Sequence, residues 1–147
     1  MENKLKLSEA LRKSTRTQAF GVYYCIKLEN GDNIFLPDGY QPDSICACAL
    51  GACFEELHGL PQSNIFSFSS VLQEMKDKIP ELSIYINRDD FFRNIKGVMN
   101  SKIFDDLYAF FKSYPYDFSL ITLITKMNDV LLFDFVTIAD VLEANGY

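Results

Sequence analysis

From Ile45 to Leu57 the chain carries no charged side chain before Glu55, and its sulfur-bearing and small residues recur at helical spacing. At about 100° per residue, Cys46, Ala49, Leu50, Cys53 and Leu57 fall on one stripe of a helix. Cys48, Gly51 and Ala52, all small, fall on the other side. A helix that is apolar on one face and small on the next has to be covered twice, because a second element can approach the small face closely. The spacing therefore predicts a central helix over Ile45–Leu57, around which the rest of the chain must pack.

Just before it, Phe20, Val22, Tyr24 and Ile26 alternate with Gly21, Tyr23, Cys25 and Lys27, the period of two that marks a strand. Asn30-Gly31 supplies the positive φ angles of a tight turn, and Asn33–Leu36 returns as a partner strand. The expected unit is a β-hairpin over Ala19–Leu36, packed on the central helix. Elsewhere helical spacing dominates. Leu5–Thr17 reads as a first helix. Ser69–Ile79 carries the stripe Val71, Leu72, Met75 and Ile79, with Ser70 and Gln73 at capping-box spacing. Asp89 and Asp90 open a further helix, Asn100-Ser101 interrupts it, and another runs to Ser113. Leu82–Ile86 reads as a short strand. Asp117–Met127 has the β-branched content of a strand and the length of a buried helix, and the helix is favoured. Asp134–Asn145 is a final helix, with Phe135, Ile138, Ala139 and Leu142 on one face and Gly146 placed to end it. The fold class expected is α+β, a mostly helical single domain over residues 1–147.

The totals agree with that size. A chain of 147 residues buries enough surface for one core without disulfide staples, and 13 Phe and 8 Tyr supply large side chains to fill it. The net charge is −6, which opposes general binding to phosphate backbones. The charge is uneven: residues 1–18 hold five basic and two acidic side chains, a net of +3, while the remainder holds nine and 18, a net of −9. No stretch has the roughly 18 unbroken apolar residues of a membrane span, so no membrane association is expected. Met1–Lys13 lacks the apolar run of a secretion signal. The location expected is cytoplasmic, with reduced thiols.

Cys46, Cys48, Cys53 and the sole histidine, His58, invite a metal site. On one straight helix, however, Cys48 points away from Cys46, and Cys53 and His58 diverge by roughly 140°, so four ligands cannot converge on a tetrahedral ion. Cysteine as a small core residue is favoured. A nucleophilic Cys48 near a helix N-terminus needs a base, and His58 lies about 15 Å further along the same helix. The carboxylate pairs Glu55-Glu56, Asp89-Asp90 and Asp105-Asp106 face different directions on their helices, as solvated ends do. No phosphate-cradling glycine loop or dinucleotide fingerprint is present, and no cofactor is implied.

Several of these residues recur together in a known pattern. Thr17-Gln18-Ala19, the strand pair, Cys48-Ala49-Leu50-Gly51-Ala52, and Asn128-Asp129 before the last helix resemble a family of short phage and bacterial proteins of unknown function. The resemblance covers about half of the chain. Met127 stands where the family often has an aromatic residue, and Pro61–Tyr116 is longer than usual. The resemblance implies that Cys48, Gly51, Ala52, Asn128 and Asp129 lie together, and it implies a phage-type setting. The function expected is that of a non-catalytic binding or accessory protein. It would associate with a host protein or sequester a small anionic ligand, and a homodimer is a further expectation. The expected ligand-binding residues are Arg12, Arg16, Thr17 and Tyr23, with the polar pair Asn128 and Asp129. The alternative is a cysteine-dependent hydrolase or transferase centred on Cys48.

Overall fold

A computed structural model of the chain describes residues 5–27, 33–34, 45–65, 67–115 and 117–147. In order, the elements are α1 (Leu7–Lys13), β1 (Tyr24–Lys27), β2 (Asn33–Ile34), β3 (Ile45–Ala47), α2 (Ala49–His58), α3 (Phe68–Lys78), β4 (Tyr85–Asn87), α4 (Arg88–Ile95), α5 (Ser101–Phe111), β5 (Asp117–Ser119), α6 (Leu120–Asp129) and α7 (Phe135–Ala144). The fold is α+β and mostly helical, with a three-stranded antiparallel sheet in the order β2-β1-β3 and a two-stranded sheet of β4 and β5. Among the described residues no helix is long and apolar enough to cross a membrane.

The pairing of β1 with β2, Ile26 opposite Ile34, is that of the expected hairpin. Its Asn30-Gly31 turn, the Pro37–Asp43 loop and Ser44 lie outside the described residues. The strand is shorter than the alternation suggests. Only Tyr24–Lys27 pairs as β1, while Gln18 makes an isolated parallel bridge to Ala47. Through that bridge the amide of Ala47 donates to Thr17 O (3.0 Å) and the amide of Ala19 to Ala47 O (2.8 Å), so the 17–19 segment covers the far edge of β3. Nor does the alternation divide inside from outside. Tyr23, Tyr24, Cys25 and Ile26 are all buried, because this small sheet is covered on both faces.

The helix expected over Ile45–Leu57 needs the main correction. Ile45–Ala47 is a strand, pairing with Ile26, Cys25 and Tyr24 in turn, and the helix begins only at Ala49. Cys46 therefore sits on a sheet, outside the helical stripe to which its spacing assigns it. The helix proper is central as expected. It packs on α1 and α6, and Ala49 through Phe54 are all buried.

Other boundaries move for local reasons. The first helix closes at Lys13, short of Thr17. Ser67 is the N-cap position of α3, so Ser70 lies inside the helix and its expected capping box is not formed. Asn87, ahead of Asp89 and Asp90, caps α4 by accepting from both of their amides. Asn100 is the break expected before α5 and caps it through Ile103 N (2.9 Å). The ambiguous Asp117–Met127 segment is both things in succession: Asp117–Ser119 pairs with β4, and α6 starts at Leu120 under the Ser119 cap. Asp134 caps α7, and Gly146, at φ +88°, ends it. The core away from α2 is aromatic, with Phe91, Phe111 and Phe118 in mutual ring contact at 4.5–5.7 Å between centroids.

Candidate functional site

The sequence-predicted polar pair sits at the end of α6, facing the start of α2. Asn128 is 1% exposed, and each of its side-chain atoms is used. Oδ1 accepts from the amide of Ala49 (3.0 Å) and from Gln18 Nε2 (2.9 Å), while Nδ2 donates to Ala19 O (2.9 Å) and Asp129 Oδ1 (2.7 Å). Gln18 also donates to Phe133 O (2.7 Å), and Asp129 Oδ1 accepts from the amide of Gly21 (2.9 Å). Asn128 thus ties the first amide of α2, the bridge segment at 18–19 and its own neighbour into one network. An isolated buried amide would be costly; one with all partners in place fixes the relative position of three segments.

Beside this network lies a small cleft. Gly21, Tyr23, Cys48, Phe68, Asn128 and Asp129 are among the residues that line it. Its volume is about 20 Å³, room for a single water-sized group. The Tyr23 ring stacks on Phe68 at 4.4 Å between centroids, and Phe68 is itself 58% exposed, so the cleft mouth has an aromatic lip. The floor is tightly made. Cys48 is the N-cap of α2: its Sγ accepts from the amide of Gly51 (3.4 Å), and its own amide donates to Tyr23 O (3.0 Å). The Tyr24 hydroxyl donates to Gly51 O (2.7 Å).

The electrostatics of the cleft oppose nucleophilic chemistry. Burial pushes the Cys48 thiol up to about 12; the Gly51 N–H works against that shift, while the Asp129 carboxyl adds to it. Burial likewise raises the Tyr23 phenol to about 12, with Cys48 and Asp129 adding to it. At neutral pH both groups keep their protons. His58 lies at the other end of α2 with its ring against Phe54, 5.4 Å between centroids. The carboxyl group nearest Cys48 therefore disfavours the thiolate, and the imidazole that would favour it is a helix length away. No three His, Cys, Asp or Glu side chains converge on a metal position among the described residues.

No family model, curated protein or solved structure matches this chain.

The residues named by the resemblance do not all share one environment. Cys48, Asn128 and Asp129 meet at the cleft, and Gly51 packs beneath it on Tyr23 and Tyr24. Ala52, the last residue of that motif, is fully buried in the core.

The basic residues are placed differently. Arg12 pairs with Asp140 (2.5 Å) and Glu143 (3.0 Å) on α7. Arg16 makes a two-pronged contact with Glu55, Nε to Oε1 at 2.8 Å and Nη2 to Oε2 at 2.7 Å, and Nη1 reaches Ile45 O at 3.4 Å. The Arg16 and Glu55 side chains are only 16% and 19% exposed. Such a partly desolvated fork is strong, and separating it would leave a carboxylate without its partner. Thr17 contributes its carbonyl to β3, and Tyr23 lines the cleft instead of the arginine pair. An anion at either arginine would meet a guanidinium already neutralised by the chain's own carboxylates.

Sequence reasoning leaves two participants unassigned. Gln18 stands out only as a member of Thr17-Gln18-Ala19, and nothing in that motif reveals its buried partner amide 110 positions away. Leu132 is the other. The exit of α6 widens, with Leu131 N bonding Lys126 O and Phe133 N bonding Met127 O, each at 2.9 Å. Leu132 takes φ +56° there, a conformation in which glycine or asparagine is usual.

Proposed function

We propose that this chain is a non-catalytic binding protein, an accessory factor that associates with a protein partner through the exposed apolar side chains around the connection between α6 and α7. Leu132 carries the reading. A left-handed φ costs a residue with a side chain roughly 1–2 kcal/mol. Leu132 is nevertheless 62% exposed, so burial within the chain does not offset that cost. Backbone strain that presents an apolar side chain to solvent is characteristic of sites that meet something else. Val130 and Val136, close to it in the chain, are also exposed, at 50% and 61%, as is Phe20 (46%), whose neighbour Gly21 is held by Asp129. Phe68, exposed at the cleft itself, adds a further large apolar side chain, and exposed apolar side chains that gather in one region are what a partner surface uses. The phage-type setting comes from the sequence resemblance, and a homodimer through the same side chains is one form that the association would take.

Sequestration of a small anion receives less support, because both candidate guanidinium groups are engaged and the cleft holds only a water-sized group. The cysteine-enzyme alternative is weakened by the protonated, buried Cys48. With its pKa raised to about 12, that thiol is expected to react slowly with a maleimide at neutral pH, at a rate set by local opening. Stopped-flow labelling in which Cys48 reacts as fast as an exposed thiol would favour the enzyme.

The binding reading is tested with Leu132→Gly and Val136→Asp in the full chain. Glycine relieves the left-handed strain, offset in part by its own entropy loss of about 0.5–1 kcal/mol, so Leu132→Gly should be as stable as the wild type or gain up to about 1 kcal/mol. Quantitative co-purification from source cells should then show a protein retained by the wild type and reduced about tenfold or more with both variants. Equal retention by all three chains, or no retained protein, would overturn the reading.

A further inference from the structure

Cys25 on β1 stands directly opposite Cys46 on β3. Opposed residues of an antiparallel pair project to the same face. Here the two thiols pack with Ala19 and half-buried Val22 in a small apolar cluster separate from the main core. Cys48 and Cys53 belong to the main core instead. The type of pair follows from the register. The amide of Cys48 donates to Tyr23 O, which makes Tyr23 and Cys48 a hydrogen-bonded pair, and the two-residue alternation makes Cys25 and Cys46 the next such pair. The Cα atoms of these pairs lie about 5.5 Å apart, within the roughly 4.4–6.8 Å span that a disulfide bridges. Their Cβ atoms start nearer 5.5 Å, against about 3.8 Å in a relaxed disulfide, so a bond here closes with a small inward movement and remains strained. Strained disulfides are the readily reduced ones.

We propose that Cys25 and Cys46 are a reversible dithiol–disulfide pair, oxidised by a low-molecular-weight disulfide such as glutathione disulfide. Cys46, 5% exposed against none for Cys25, is the entering thiol. Its thiolate attacks one sulfur of glutathione disulfide, forming a mixed disulfide and releasing one glutathione thiolate. The Cys25 thiolate then attacks the Cys46 sulfur of that mixed disulfide and releases the second glutathione. Two protein thiols give up two electrons and two protons, and glutathione disulfide becomes two glutathione molecules. Entry is through local opening of the thin cluster edge at Val22, which is less protected than the main core. Cys48 competes poorly for Cys46, because its sulfur caps α2 and packs in the main core, outside the cluster that Cys25 and Cys46 share. The bond would lock β1 to β3 directly beside Tyr23 and Cys48, and the inference stands whether or not the surface around Leu132 binds a partner.

The test uses the full chain, native, in excess glutathione disulfide. Remaining thiols are alkylated, the protein is digested without reduction, and linkages are read by tandem mass spectrometry. The expected product is a Cys25–Cys46 bond with Cys48 and Cys53 alkylated only after denaturation, and dithiothreitol should restore four free thiols. In Cys25→Ala the reaction should stop at glutathione on Cys46. Recovery of Cys25 and Cys46 as unlinked thiols, or a Cys46–Cys48 bond as the main product, would overturn the proposal. The wild-type linkage decides the matter alone if Cys25→Ala does not fold.

Discussion

Asn128→Ala is expected to destabilise the protein by about 4 kcal/mol, read as a lowered midpoint in urea with an unchanged slope. The side chain makes four hydrogen bonds from a position that is 1% exposed. Alanine cannot replace them. Gln18 keeps Phe133 O, and Asp129 keeps the amide of Gly21, so those two groups are not stranded. The amide of Ala49 and the carbonyl of Ala19 do lose their side-chain partner, at about 1–3 kcal/mol for each group left buried and unsatisfied. Against a total stability of about 5–15 kcal/mol for a domain, that is a large fraction. A loss below about 1 kcal/mol would mean that water replaces Asn128 freely and that the site is wetter than its burial indicates.

The isosteric change Asn128→Asp separates hydrogen bonding from volume. The introduced carboxyl meets Asp129 within 2.7 Å and faces Ala19 O with an acceptor instead of a donor. Only its protonated form can donate, so its folded-state pKa must lie above the unfolded value of about 3.9. The sign follows: the contribution of this group to stability is fully present below about pH 3.9 and is lost as pH rises through the folded pKa. The wild type contains the opposite trend. The Glu74 carboxyl, which burial alone would push up, is held down to about 2 by the amides of Ser63 and Gln62, the Ser63 hydroxyl and Lys78, so its contribution is lost as pH falls. Taking the difference between variant and wild type at each pH cancels that common term. The gap between them should widen from acid to neutral pH.

What the sequence discloses and what it hides divide along the range of the interactions. The final helix is legible because Phe135, Ile138, Ala139 and Leu142 repeat on one face and Asp134 caps the first turn within three residues. Asn100 and Ser119 are likewise local devices, each binding an amide three positions on. The Ile45–Ala47 strand is hidden because a three-residue apolar run continues a helical stripe as readily as it pairs in a sheet; what decides is Tyr24–Ile26 across the ladder. The arginines are visible as charges but not as occupied ones, since Glu55 and Asp140 reach them from 39 and 128 positions away. The polar pair at 128–129 stands out between two apolar runs. Its partner Gln18 is visible only as a member of Thr17-Gln18-Ala19, without its role, and nothing local announces the left-handed Leu132.

Gly51→Ala is the second change with a large expected effect, and its sign is informative. In an exposed helix interior, alanine in place of glycine stabilises by about 1 kcal/mol. Gly51 does not need a glycine backbone for its conformation; it lies within the helix Ala49–His58. It needs the absence of a Cβ, which would fall 2.6 Å from Tyr23 O and 3.1 Å from two ring atoms of Tyr24. The carbonyl cannot withdraw cheaply. It accepts from the amide of Cys48, the residue that caps this helix, so moving it opens the junction between β1 and α2. The clash should outweigh the propensity gain and leave a net loss of about 3 kcal/mol, at the upper end of overpacking costs. For a chain of this length that lowers Tm by about 6–12 °C. The identity of the obstacle is testable by adding Tyr24→Leu. If the ring were the barrier, the double variant would recover; because the barrier is backbone, it should remain as unstable as the sum of the two single changes. A Gly51→Ala protein more stable than the wild type would show that α2 does not approach β1 this closely, and the cleft that depends on that approach would have to be redrawn.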